Sequence, residues 1–110
     1  MKEDSTISEI KKGLLVVAVL QVISSKRSYA GEILAALAET EFSSQEGTLY
    51  PLLSRLKREG LIEHDWVESP SGPPRKYYRL SKTGLARIKE LMQYVRRLSL
   101  DLKKLGGTNE

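Results

Sequence analysis

Apolar side chains crowd the first quarter of the chain. Between residues 7 and 24 stand Ile10, Leu14, Leu15, Val17, Ala18, Val19, Leu20, Val22 and Ile23. So dense a run suits a buried strand as well as a buried helix, and periodicity alone does not separate them. The length of the run, and the capping-box spacing of Thr6 and Glu9, predict a first helix buried on most sides. A helix that apolar needs cover on two faces, which in a small chain points to a partner subunit.

The next segments follow a helical period. Ser28 is placed to cap a second helix over 29–39, with Ile33, Leu34 and Leu37 facing inward. After a turn at 40–43, Ser43 and Glu46 make another capping box. A third helix is predicted over 44–59, with Leu49, Leu52, Leu53 and Leu56 on one face and Gly60 at its end. Pro51 lies inside it and marks either where the helix settles or a slight kink. The pattern then alternates over 61–68 and 75–80, where Trp66, Val67, Tyr77 and Tyr78 favour strands. The intervening Ser-Pro-Ser-Gly-Pro-Pro of 69–74 is turn chemistry, so a β-hairpin with a stiff tip is expected. Only one of Tyr77 and Tyr78 can be core, and that one should pack near Trp66. From Ser81 onward Ile88, Leu91, Val95, Leu98, Leu102 and Leu105 recur at spacings of three and four. This is a heptad seam longer than a compact body of three helices and a hairpin can cover. The fold class is mainly α with a small β-hairpin. A winged helix-turn-helix spans 1–81, a dimerisation helix spans 82–105, and a loose tail spans 106–110; residues 1–5 are also expected to fray.

Composition narrows the chemistry. With 110 residues there is room for one domain, and 40% hydrophobic with 29% charged residues is ordinary for a soluble globular protein. The absence of Cys removes disulfides, thiolate metal sites and a Cys nucleophile, and a single His, His64, argues against a His-rich metal site or a catalytic triad. No cofactor is implied. The carboxylate pairs Glu39 with Glu41 and Glu63 with Asp65 have no nucleophile or metal ligand nearby and are assigned to the surface; His64 is read as a surface or half-buried strand residue. The longest apolar stretch is too short to span a bilayer and is not placed as a signal peptide, so no membrane role and a cytoplasmic setting are expected.

The net charge is only +4, yet residues 75–97 hold eight basic residues against one acid, Glu90. A polarised molecule of this kind suits phosphate attraction, although a basic face can also serve solubility alone. If the leucines of the third helix face the core, a step of about 100° per residue sends Gly47, Tyr50, Pro51, Ser54 and Arg58 to the opposite side. That face is small at its start and basic further on, which would let the helix start approach base edges and phosphates. Any soluble amphipathic helix offers something similar; the basic hairpin is what favours DNA. The candidate DNA-binding residues are Ser44, Gln45, Gly47, Thr48, Tyr50, Pro51, Ser54, Arg55 and Arg58 on the third helix, with Ser71, Gly72, Arg75 and Lys76 on the wing. The candidate dimer interface comprises Leu14, Val17, Leu20, Ile88, Leu91, Val95, Leu98, Leu102 and Leu105. Rival readings are a winged-helix protein-interaction module without DNA binding and, less supported, an enzyme or ligand carrier, for which no activated catalytic group is visible.

The run Gly47-Thr48-Leu49-Tyr50-Pro51-Leu52-Leu53, continued by Arg55-Leu56-Lys57-Arg58-Glu59-Gly60-Leu61-Ile62, resembles the PadR family of transcriptional regulators. So does Arg75-Lys76-Tyr77-Tyr78-Arg79-Leu80-Ser81 followed by Gly84. The likeness covers about residues 10–105 and is similar to the family's small subgroup, with one helix after the wing. The resemblance implies a homodimeric winged-helix protein, usually a repressor, on a palindromic operator of double-stranded DNA. It places the third helix in the major groove, the wing on the backbone or minor groove, and the last helix against the partner's first helix. It also implies a small-molecule effector. Some members hold flat aromatic compounds with a Trp on the last helix, where this chain instead has Met92 and Tyr94 as candidate pocket residues.

Overall fold

The structure, a computed structural model, describes residues 4–107. The expectations for residues 1–3 and 108–110 lie outside the described residues. The elements run α1 (Ser5–Ser25), α2 (Ala30–Ala38), α3 (Glu46–Arg58), β1 (Ile62–Ser69), β2 (Gly72–Leu80) and α4 (Lys82–Leu105). One core joins them all. Val19, Leu20 and Ile23 of α1 meet Ile33 and Leu37 of α2, Leu49, Leu53 and Leu56 of α3, Ile62 and Tyr78 of the hairpin, and Ile88 of α4.

Three helix starts differ from the sequence expectation. At α1 the cap is Asp4, whose carboxylate accepts from the amides of Thr6 (2.8 Å) and Ile7 (3.2 Å), so Thr6 lies within the helix. A charged acceptor at the positive end of a helix outcompetes a hydroxyl. At α2 the flanking residue is Tyr29, whose amide donates to Glu32 (3.3 Å). Ser28 is not the cap: it is fully buried and its backbone pairs with Tyr78 in both directions, at 3.1 and 2.8 Å, adding a one-residue bridge to the outer edge of β2. At α3 the helix begins at Glu46 after Gln45, and the Ser44 hydroxyl donates instead to the Phe42 carbonyl at 2.9 Å. No side chain caps α3. Pro51 sits in its interior without breaking it, although the proline has no N–H for the Gly47 carbonyl. The C-terminus ends as the sequence suggests: Gly60 has φ +75°, the Leu61 amide reaches the Leu56 carbonyl and the Gly60 amide reaches that of Lys57, both at 3.0 Å.

The hairpin is longer than its sequence suggests. Ser69 pairs with Gly72, so the turn is only Pro70 and Ser71, and Pro73 and Pro74 belong to β2 rather than to the loop. Between the Val67–Arg75 and Ser69–Gly72 pairs, β1 has one residue and β2 has the two prolines, and the register shifts there. In a two-stranded ribbon each strand has a free edge, where a missing N–H costs little. The buried tyrosine is Tyr78, which packs beside His64 (ring centroids 6.1 Å). Trp66, the expected neighbour, is 65% exposed.

α4 is clamped to the body at its first turn. The Ser81 hydroxyl accepts from the Gly84 amide (2.9 Å) and donates to the Gly60 carbonyl (2.6 Å). Gly84 lies so close to Leu61 that a Cβ there would stand 1.9 Å from the Leu61 carbonyl oxygen. From that clamp the seam runs outward: Ile88 is buried, Leu91 and Val95 are half-buried, and Leu98, Leu102 and Leu105 are 43%, 70% and 84% exposed.

Candidate nucleic-acid interface

The α2–α3 pair and the hairpin form a helix-turn-helix with a wing, and most of the residues predicted to touch DNA lie around the start of α3. Tyr50 and Ser54 of α3 face Arg75 and Lys76 of β2 across a cleft of about 530 Å³, whose other walls include Tyr29, Glu46 and Trp66. On the opposite flank of the same helix end, Ser44, Gln45 and Thr48 share a depression of about 290 Å³ with Lys11 and Lys12 of α1. The uncapped first turn of α3 therefore lies between two grooves, one bordered by Arg75 and Lys76, the other by Lys12 and by Lys11, whose ammonium is paired with Glu41 at 3.1 Å. Such a turn presents amides and the positive end of the helix dipole to anions. Gly47 and Pro51 are exposed on this surface, and Ser71 and Gly72 lie at the wing tip.

Arg55 and Arg58 stand apart from that centre, near the C-terminal end of α3. Arg55 is held by Glu59, with Nε to Oε2 at 3.0 Å, so its charge is partly cancelled. Sequence reasoning missed Lys12, Tyr29 and Trp66. The adjacent Lys11 and Lys12 were visible as a basic pair on the polar side of α1; nothing local marked Tyr29.

The basic run of 75–97 is less basic in space than along the chain. Arg79 binds Asp65 and, at 3.3 Å, Glu63, while Asp65 also takes Arg27 at 3.3 Å. The hydrogen bond and charge of Asp65 make the Arg79 guanidinium hold its proton still more firmly than usual. Arg87 is paired with Glu90. Arg75 and Lys76 have no carboxylate partner among the described residues and keep their charge. His64 lies between α3 and the wing, its Nε2 3.4 Å from Lys57 Nζ. Burial, and then the charges of Lys57 and Lys76, push its pKa below the ordinary 6.5. Its Nδ1 is buried without a partner.

A family model described as the transcriptional regulator PadR-like family matches residues 19–90, which span α2, α3, the wing and the start of α4. The chain belongs to the PadR-like family of transcriptional regulators.

Solved PadR structures agree along nearly the whole chain. A PadR-like transcription factor from Bacteroides fragilis is 37% identical, with a TM-score of 0.78 over 93% of this chain and 99% of that one. A PadR family transcriptional regulator from Eggerthella lenta is 33% identical, with a TM-score of 0.85 over 96% and 92% of the two chains. A curated relative, an uncharacterized protein of Lysinibacillus sphaericus, is 33% identical over 89 residues, which is 78% of this chain and 82% of that one. PadR family members are transcriptional regulators and not enzymes.

Two expectations about the other end of the molecule need correction. Leu20 and Ile88, expected at the dimer interface, are spent on the protomer's own core, and Val17 is nearly so. Ile7 and Ile10 on α1, which were not singled out for that interface, are 49% and 57% exposed. Tyr94 is not part of the hollow that Met92 lines: it is exposed and stacks with Arg97, whose Cζ lies 5.4 Å from the ring centre. That hollow is apolar, of about 360 Å³, and bounded by Leu14, Val17 and Ala18 of α1, Leu37 of α2, Phe42 and Val95. Among the described residues no helix is long and apolar enough to cross a membrane.

Proposed function

We propose that this PadR-like regulator works in the cytoplasm as a homodimeric repressor on a palindromic operator. α3 enters the major groove, and the wing lies on the adjacent backbone. The observation that carries this reading is the grouping of the uncapped α3 start with two unneutralised wing cations around one cleft. A homodimer is supported by the bare outer half of the α4 seam, Leu98, Leu102 and Leu105, and by Ile7 and Ile10, apolar surface that a single chain leaves in water. A partner's α1 lying against that seam would cover both. The apolar hollow with Met92 opens beside these helices and suits a small hydrophobic effector.

The test is nuclease protection of the DNA flanking the gene. Two protected half-sites related by a twofold axis, about 34 Å apart, are expected. Arg75→Ala should weaken binding and lower the salt slope by about one phosphate's worth. A reporter driven from that DNA should rise when the regulator is removed. Absence of any protected site, or an unchanged affinity in Arg75→Ala at low salt, refutes the assignment of this face.

A further inference from the structure

Arg75 and Lys76 are consecutive on β2 and both border the cleft beside α3. Arg27, Arg55, Arg79 and Arg87 are all held by carboxylates. These two are held by aromatic rings instead. The Arg75 guanidinium carbon lies 4.4 Å from the ring centre of Tyr29, and Lys76 Nζ lies 5.3 Å from that of Trp66. A carboxylate steadies a cation by cancelling its charge. The face of a ring steadies it through the quadrupole and leaves the net charge whole.

The Tyr29 ring is itself fixed. It meets Tyr77 edge-on at 5.3 Å, and it lies against Gly31, where a Cβ would come within 2.8 Å of Tyr29 Cε2. Tyr77 in turn carries the Arg27 guanidinium at 6.0 Å, and Arg27 ends on Asp65. Trp66 is largely in water, so its indole contributes little to the core that would explain its presence. Both rings border the cleft beside α3.

We propose that Tyr29 and Trp66 are positioning residues for DNA binding, each holding one wing cation extended and at full charge toward the phosphates. The inference rests on the wing reading above. It identifies two residues that never need to touch DNA yet set how well Arg75 and Lys76 do.

The experiment is fluorescence anisotropy of the full chain on a labelled mixed-sequence duplex at several salt concentrations, run as a double-mutant cycle. Tyr29→Leu should weaken binding roughly three- to tenfold, and Tyr29→Phe, which keeps the ring, by less than about twofold. The salt slope of Tyr29→Leu should match the parent, because the cation remains, whereas Arg75→Ala should be shallower. Adding Tyr29→Leu to Arg75→Ala should cost nothing more. A purely structural role would cost the same in both backgrounds, and that result overturns the proposal. Trp66→Leu with Lys76→Ala repeats the cycle at an exposed position where folding is not at risk. An unchanged affinity in both Tyr29→Leu and Trp66→Leu, beside a weakened Arg75→Ala, overturns this inference alone. An unweakened Arg75→Ala overturns the wing reading and this inference with it.

Discussion

Replacing Gly84 by Ala pits two effects of known sign against each other. Gly84 is the third residue of α4, and Ala is the better helix former by up to about 1 kcal/mol. Against that, the new methyl would stand 1.9 Å from the Leu61 carbonyl oxygen, with the carbonyl carbon at 2.9 Å. Atoms that close must separate by more than an ångström. Neither neighbour is a flexible side chain: Leu61 is backbone fixed by the Gly60 turn, and its oxygen already accepts from the Ser81 amide at 3.1 Å. Relief requires lifting the first turn of α4, which strains the Ser81 cap and draws Ile88 out of the core. Overpacking of this kind costs about 1–3 kcal/mol, and loss of cap geometry adds about 1 kcal/mol, so a net loss of about 1–3 kcal/mol remains after the helix gain. For a domain near this size that lowers Tm by roughly 5–20 °C. Thermal denaturation at one fixed protein concentration reads it, since self-association would otherwise enter. Gly13→Ala supplies the internal control. Gly13 lies in α1 with nothing within 4 Å of a Cβ, so there the same change should stabilise by up to about 1 kcal/mol. If Gly84→Ala is as stable as the parent, the close approach of α4 to Leu61 is not what places that helix, and the reasoning is refuted.

Other consequences are simpler. Leu98→Lys combined with Leu102→Lys should leave the folded protomer nearly unchanged, because both sites are exposed in it, and should reduce the mass seen by light scattering to that of one 12.4 kDa chain. A dimer that survives both charges would place the interface elsewhere. Ser81→Ala removes a hydroxyl that both caps α4 and binds the Gly60 carbonyl; chemical denaturation should show a loss of about 1–2 kcal/mol. His64 has a folded pKa below its unfolded 6.5, so the unfolded chain binds its proton first as pH falls. Stability should therefore be flat above that pH and decline below it, and His64→Gln should shrink the decline; an unchanged pH profile in that variant would contradict the assigned environment.

Much of the architecture was legible in the residues themselves. The leucines of α3 and the seam of α4 repeat at helical spacing, so a local rule fixed which side faces inward, and the β-formers flanking a turn marked the wing. The exposure of Gly47, Tyr50, Pro51, Ser54 and Arg58 on the outer face of α3 followed from the same phase. The exact helix starts did not follow, because several short polar residues compete for each one. Asp4 beat Thr6 through its charge, and Ser28 was taken by a strand bridge to Tyr78, fifty residues away in the chain.

What the sequence alone determined, then, was periodicity: how many helices, which faces are apolar, where the hairpin falls, and a motif that marks the family. Only the tertiary structure decided which charges are still available. Arg79 and Arg75 look alike in the sequence, yet the strand register sets Glu63 opposite Arg79, while the fold of α2 lays Tyr29 beneath Arg75. The same packing withdrew Leu20 and Ile88 into the core and left Leu102 and Leu105 in water. Charge pairing and burial depend on neighbours brought from far along the chain, and no window of local sequence contains them.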